Sequence, residues 1–247
     1  MVSQHEYTAS QPVLGAVFIK EYFFARCRFK THHIFILKAE HILLLQPLLI
    51  KRGAEADIYI VEWNSKKAIS KVRSPKSYRH PELDSAIRKH RTIHEATIMS
   101  ASKSAGVMTP FVHFVDPGKA EIIMEFIEGQ NTRDILTLDI CYQIGRCAAL
   151  LHTSKIIHGD LTTSNFVMNK RLVLLDFGLS YYSERIEDMA TDIRLIKEIF
   201  TSAHIAVRKA FPRFVEGYAS VAGRKRMDKI LVNVRKIEQR GRYARMT

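Results

Sequence analysis

Cysteine is scarce: only Cys27, Cys141 and Cys147 occur in 247 residues. The number is odd, no CxxC pair occurs, and the spacings suit no zinc site, so neither a disulfide framework nor a structural zinc is expected. A reducing, intracellular setting, cytoplasmic or also nuclear, is the simple expectation. No apolar run of about 18 residues occurs, so no membrane-spanning helix and no membrane partner are expected. The start MVSQHEYTASQPVLG lacks a basic stretch ahead of an apolar one, so no signal peptide is expected. Glu6, Glu21 and Glu40 argue against a transit peptide. Acid is also in short supply. Against 38 Lys and Arg stand 25 Asp and Glu, a net charge of +13 and a pI near 9.7. That excess points to a polyanionic partner, nucleic acid first.

What is present suffices for a core, with 47% hydrophobic residues. Residues 1–46 show no clear period. Their histidines His32, His33 and His41 lack cysteines or spaced carboxylates, so no metal site is expected there. From Leu48 the pattern alternates. Leu48–Arg52, Asp57–Trp63 and Ala68–Arg73, with turns at Gly53 and Asn64-Ser65, predict a three-stranded antiparallel meander. Residues 82–104 hold neither Pro nor Gly and stop before Gly106, which predicts a long helix. Two more strands, Phe111–Asp116 and Glu121–Phe126, flank Pro117-Gly118. The second half is helical. Ile140, Ile144, Cys147, Ala148 and Leu151 form one amphipathic stripe, and Met189, Ile193, Ile196 and Phe200 another. Cys141 and Cys147 belong to the core on this reading. The chain thus divides into an extension (1–46), a mostly β lobe (47–126), a helical lobe (127–222) and a basic tail (223–247).

The chemistry concentrates in His158-Gly159-Asp160-Leu161-Thr162-Thr163-Ser164-Asn165 and in Asp176-Phe177-Gly178. Asp160 and Asn165 are five apart, and Asp176 follows Asn165 by eleven. Phosphoryl transfer needs a carboxylate to orient the attacking oxygen. It also needs an amide and a second carboxylate to hold Mg²⁺ on the phosphates. Asp160 fits the first role; Asn165 and Asp176 fit the second. Lys71, on the third strand, can reach the phosphates if a carboxylate holds it, and Glu95 in the long helix is the best partner. Gly53-Ala54-Glu55-Ala56 sits at the first strand turn, where backbone N–H groups can approach phosphates. It has one Gly where the usual loop has three. Glu55 is unexpected beside phosphates; a metal or a nearby Lys are its two possible partners. His158 reads as a brace for the loop and His152 as a core or boundary histidine. Thr162, Thr163 and Ser164 read either as hydroxyls beside the reaction or as partners for backbone groups in a tight loop.

Two absences shape the reading. Gly159 stands where an arginine would receive a phosphorylated activation loop. Only 13 residues separate Gly178 from Asp192 and no APE triplet follows, so a peptide-docking shelf does not fit. From Arg224 to Thr247, nine Lys or Arg face two acids. Arg224, Lys225, Arg226, Arg240 and Arg242 are the candidate phosphate-backbone contacts there. A second basic cluster, Arg73, Lys76, Tyr78, Arg79, His80 and Arg88–Arg91, opens the long helix.

KRGAEADIY, KVRSPKSYRHPELD, RTIHEA, MEFIEG, HGDLTTSN, LLDFGLS, EDMATD and RGRYA together resemble the small atypical kinase/ATPase of the KEOPS (EKC) complex, the PRPK family. The resemblance covers about 48–245. It implies an α+β, reduced two-lobed protein-kinase-like fold, with ATP and Mg²⁺ as cofactors. It places Lys71, Glu95, Asp160, Asn165 and Asp176 at catalytic positions and assigns Glu125, in MEFIEG, to the nucleotide. It also implies serine phosphorylation in isolation and ATP hydrolysis that supports threonylcarbamoyl-adenosine formation on tRNAs reading ANN codons. The implied partners are the threonylcarbamoyl-transferase subunit, a small regulatory subunit and tRNA. Three alternatives stand beside it. One is a free-standing serine kinase. The second is a small-molecule phosphotransferase, which usually needs a larger helical lobe than the roughly 70 residues after Gly178 allow. The third is a tRNA-binding scaffold that uses ATP only structurally.

Overall fold

Three strands, β1 (Leu48–Arg52), β2 (Asp57–Trp63) and β3 (Lys66–Val72), follow one another as the expected antiparallel meander. With β4 (Val112–Asp116) and β5 (Glu121–Glu125) they form a five-stranded sheet in the order β1-β2-β3-β5-β4. The computed structural model describes residues 47–204, 207 and 209–243. Cys27, His32, His33, His41 and the rest of 1–46 lie outside the described residues.

Turn chemistry sets the register. Asn64 and Ser65 both have positive φ, +50° and +61°, the signature of a two-residue hairpin loop. A turn that tight resumes pairing at once, with Trp63 opposite Lys66. The strand therefore starts two residues earlier than its apolar pattern suggests. Central in the sheet, β3 has Ala68, Ser70 and Lys71 all buried.

Helix α1 (Pro81–Ser104) begins with Pro81 at its first turn, where the missing N–H costs nothing. At its end Val107 N–H donates to Ser102 O at 3.0 Å, closing the turn at Gly106. Thr92, Glu95, Ala96, Met99 and Ser102 share its buried face. Glu95 thus points inward by period alone.

The second lobe contains β6 (Gln130–Asn131), α2 (Leu138–Thr153), β7 (Ile156–Ile157) and a 3₁₀ turn (Thr163–Asn165). Then come β8 (Phe166–Asn169), β9 (Arg171–Leu174), β10 (Tyr181–Tyr182), α3 (Ile186–Ser202), α4 (Ala210–Ala222) and α5 (Arg224–Tyr243). The predicted stripes on α2 and α3 are buried, except that Cys147 sits half-buried at the edge. Burial pushes the Cys141 thiol up to about 11 and the Cys147 thiol up to about 12, so neither is a reactive thiolate. Helices α2 and α4 touch backbone to backbone. A Cβ on Gly145 would lie 2.1 Å from Phe214 O, and one on Gly217 would lie 2.0 Å from Tyr142 O. Only glycine permits that approach.

Within the basic tail, α5 is a helix packed on the core. Met227, Ile230 and Val234 of α5 are buried in the core, at spacings of three and four. Among the described residues no helix is long and apolar enough to cross a membrane.

Candidate active site

A cleft of about 290 Å³ runs between the sheet and the second lobe. Its lining includes apolar Ile58, Ile69, Met124 and Leu175 and polar Lys71, Asn165 and Asp176. Period 2 along β3 places Ile69 and Lys71 on the same, cleft-facing side.

Lys71 Nζ donates to Glu95 Oε1 at 2.6 Å and to Asp176 Oδ1 at 2.7 Å. Arg73 Nη2 donates to the other Glu95 oxygen. Lys71, Arg73 and Glu95 are all buried. Glu95 therefore compensates two buried cations, and Asp176 completes the set. Burial opposes the charged form of Lys71, but Glu95 and Asp176 outweigh it and hold the ammonium above its ordinary range. Burial likewise opposes ionisation of Asp176, yet Lys71 and the Gly178 N–H bring its carboxyl below the usual range. Asp176 has φ +52°, an uncommon conformation for a residue with a side chain.

The loop after β7 is held from several sides. Asn165 Nδ2 donates to Asp160 O at 2.8 Å and to Asp160 Oδ2 at 2.9 Å. Asp160 N–H faces His158 Nδ1 at 3.3 Å, so the ring proton belongs on Nε2, which faces Leu175 O at 3.4 Å. Burial lowers the His158 pKa despite nearby Asp192, so the ring is neutral. His158 braces the loop, as expected. Gly159 has φ +79°, and a Cβ there would fall 2.4 Å from Leu179 O. The position cannot hold an arginine in this backbone.

Asp192 went unrecognised in the sequence. Buried on α3, it accepts from His158 N–H at 2.7 Å and from Gly159 N–H at 2.8 Å. Its signal was an acid on the apolar stripe, three residues after Met189 and one before Ile193. His152 Nε2 lies 3.3 Å from Asp192 Oδ2, and its Nδ1 lies 3.0 Å from the Tyr218 hydroxyl. Arg226 Nη2 donates to His152 O at 3.0 Å. A line of contacts thus joins α5 to the Asp160 loop. Thr163 is buried and its hydroxyl pairs with His204 Nε2 at 3.0 Å, so it braces rather than reacts.

Several expectations need correction. Arg73, grouped with a surface cluster, is a buried partner of Glu95. Much of the rest of that cluster is internally paired: Arg79 and Arg88 share Asp84, and Lys76 Nζ donates to Ala54 O. Glu55 meets Arg91 on α1 at 2.6 Å, rather than a lysine or a metal. On that side the cleft is lined by Ile50, Lys51 and Ile58, on the two strands that the Gly53–Ala56 turn joins. Gly53 serves the turn itself, donating to Ala56 O at 3.0 Å. Glu125 lines the cleft, but its carboxylate accepts from Phe111 N–H at 3.0 Å. On α5, Arg226 is turned into the core. Arg224 pairs with Asp228 at 3.2 Å and Arg240 with Glu187 at 2.9 Å, while Lys225 is exposed. The Arg242 side chain lies outside what is described.

Asn165 and Asp176 have the donor chemistry for Mg²⁺. With the Asn165 nitrogen on Asp160, its amide oxygen can serve as a ligand, and among the described residues Asp176 Oδ2 has no hydrogen-bond partner. Two oxygen donors suit a cation that takes its remaining ligands from phosphates and water.

A family model described as protein tyrosine and serine/threonine kinase matches residues 49–196. The "KEOPS complex subunit Bud32" of Pyrococcus abyssi is 38% identical over 79% of this chain and 96% of its own length. The "probable serine/threonine-protein kinase BUD32 homolog" of Archaeoglobus fulgidus is 36% identical over 77% of this chain and 94% of its own. The "probable bifunctional tRNA threonylcarbamoyladenosine biosynthesis protein" of Methanobrevibacter smithii is 40% identical over 87% of this chain. The match takes in 41% of that longer relative. Among solved structures, the Rio2 kinase-ADP/Mg²⁺-phosphoaspartate complex from Chaetomium thermophilum has a TM-score of 0.52 at 17% identity. The overlap is 76% of this chain and 70% of that one, a likeness of fold alone. With its α+β, two-lobed architecture and these relatives, the chain belongs to the protein-kinase family and, within it, to the Bud32 group.

Proposed function

We propose that this chain is an Mg²⁺-ATP-dependent atypical serine/threonine kinase/ATPase. In this reading it serves a KEOPS-type assembly that forms threonylcarbamoyl-adenosine on tRNA. The observation that carries the reading is convergence. Lys71, Asn165 and Asp176, far apart in sequence, line one cleft, with Glu95 behind Lys71 and Asp160 on Asn165.

Ile58, Ile69 and Leu175 suit a planar base, beside the Met124–Ile127 segment. Lys71, held by Glu95, presents a fixed cation to the phosphates. Asp160 has one oxygen on Asn165 and the other left to orient an attacking hydroxyl or water. His158, neutral and tied to the loop, is unsuited to take that proton. Mg²⁺, held by Asn165 and Asp176, would neutralise charge on the phosphates. The short segment from Gly178 to α3 offers no platform for a long peptide, which favours water or a small hydroxyl donor as acceptor.

The names of the relatives support the assembly. One is a KEOPS subunit, and another carries a matching region inside a longer bifunctional chain. A threonylcarbamoyl-transferase subunit, a small regulatory subunit and tRNA are the proposed partners. The net charge of +13 supports the last of these. The proposed setting is the cytoplasm, and the nucleus where there is one.

The test is ATP hydrolysis by the chain alone, and with transferase and tRNA, beside Asp176→Ala. Stimulation by both partners, abolished in the variant, is expected. Turnover indifferent to both, with label on serine, would replace this reading by a free-standing protein kinase.

A further inference from the structure

A second cavity, about 360 Å³, opens between the loop after α1, helix α2 and the β8–β9 hairpin. Among the described residues it shares no lining residue with the first cleft. Its apolar floor includes Met108, Leu150 and Leu172. Arg146, Lys170 and Arg171 also line it, all exposed, and among the described residues no carboxylate lines it. Arg146 bears on the Tyr142 hydroxyl, which Ser220 and then Arg146 hold below its ordinary range. Gln143 lines the wall as well. Its Nε2 donates to Asp139 Oδ2 at 2.6 Å, which leaves its carbonyl oxygen open.

Three cations around a concave surface repel one another until an anion arrives. A free phosphate would satisfy them and leave the apolar floor wet. An apolar ligand would cover the floor and leave the cations unmet. A nucleotide with its base unstacked meets both, with the flat ring on the floor and phosphates at the rim.

We infer that this cavity receives one unstacked nucleotide of an RNA partner. The base rests on Met108, Leu150 and Leu172, and the flanking phosphates lie against Arg146, Lys170 and Arg171. The inference rests on the RNA reading above and adds where, and in what state, the RNA is held. It makes the partner single-stranded at this point, as a loop or an end, because a base in a duplex stack cannot reach a concave floor.

The experiment uses the full chain, a short labelled oligouridylate and tRNA, each titrated over a range of salt. Lys170→Gln combined with Arg171→Gln is compared with the wild type. The expected result is weaker oligouridylate binding. The log–log salt slope should be shallower by about 1.4, two phosphate contacts at about 0.7 each. Saturating ATP should not displace the RNA, and basal ATP hydrolysis should stay at the wild-type rate. Equal binding by the variant would overturn the inference. So would displacement by ATP, which puts the RNA in the first cleft. Displacement by inorganic phosphate as effective as by unlabelled oligouridylate would do the same, since the floor would then contribute nothing. A phosphopeptide that binds the wild type while oligouridylate does not would also overturn it, in favour of a protein partner. If tRNA fails to bind while oligouridylate binds through these residues, the tRNA reading falls and the pocket stands.

Discussion

Glu95 is the residue on which the buried charges of the cleft depend. It faces both Lys71 and Arg73 at almost no solvent exposure. Replacing it by Gln leaves two buried cations short of their counter-charge, a loss that costs about 3–5 kcal/mol. Urea unfolding of Glu95→Gln measures that loss directly. His158 gives the same scale a pH dependence. Its folded pKa lies below the ordinary 6.5, so the unfolded chain binds a proton that the folded chain refuses. Stability therefore falls as pH drops from about 6.5 towards the folded value. Asp176 acts in the same direction at lower pH. Its contribution is present above 3.8 and is lost as pH falls through its depressed folded value. Lys71 acts at the other end: its contribution is full below 10.5 and fades as pH rises through the raised folded value. Urea midpoints across pH, with His158→Asn beside the wild type, check the first window, which the variant should flatten. Lys71 and Glu95 were legible by position, on the third strand and the long helix ahead of the Asp160 and Asp176 motifs. Arg73 was not, because in sequence it is one of a run of basic residues and nothing sets it apart. Only the sheet reveals that it enters the core.

Among elements, the contact between α2 and α4 is the least forgiving. Gly217→Ala would drive a methyl group into the backbone at Tyr142 O, where no side chain can move aside. The expected cost is about 3 kcal/mol or more, read by thermal unfolding. No local pattern announces such a contact, because each glycine is an ordinary small residue until its partner helix is placed. The β lobe was more legible, since Gly53, Asn64-Ser65 and Pro117-Gly118 mark its turns. Helix α5 lay between these cases. Its eight positive charges concealed that Met227, Ile230 and Val234 serve the core. Arg226 supplies a test of what α5 does. With its hydrogen bond to His152 O removed in Arg226→Gln, amide exchange at His158 and Gly159 should quicken. A purely structural role would quicken exchange in α5 alone.

For the whole molecule, charge governs association more than fold. Truncation at Arg224 would strip three buried side chains from the core, so charge replacement is the sound probe of the end of the chain. Lys225→Gln, at an exposed site, should weaken tRNA binding and flatten its salt slope by about 0.9 if it meets a duplex phosphate. The line from Arg226 through His152 and Asp192 to the Asp160 loop has a further thermodynamic consequence. Two ends of one connected structure exchange free energy in equal measure. Whatever tightens nucleotide binding by holding α5 in place must itself be held more tightly, by the same factor, when nucleotide is present. A ligand that engages the Asp160 loop and one that engages α5 near Arg226 should then change each other's affinity by the same factor.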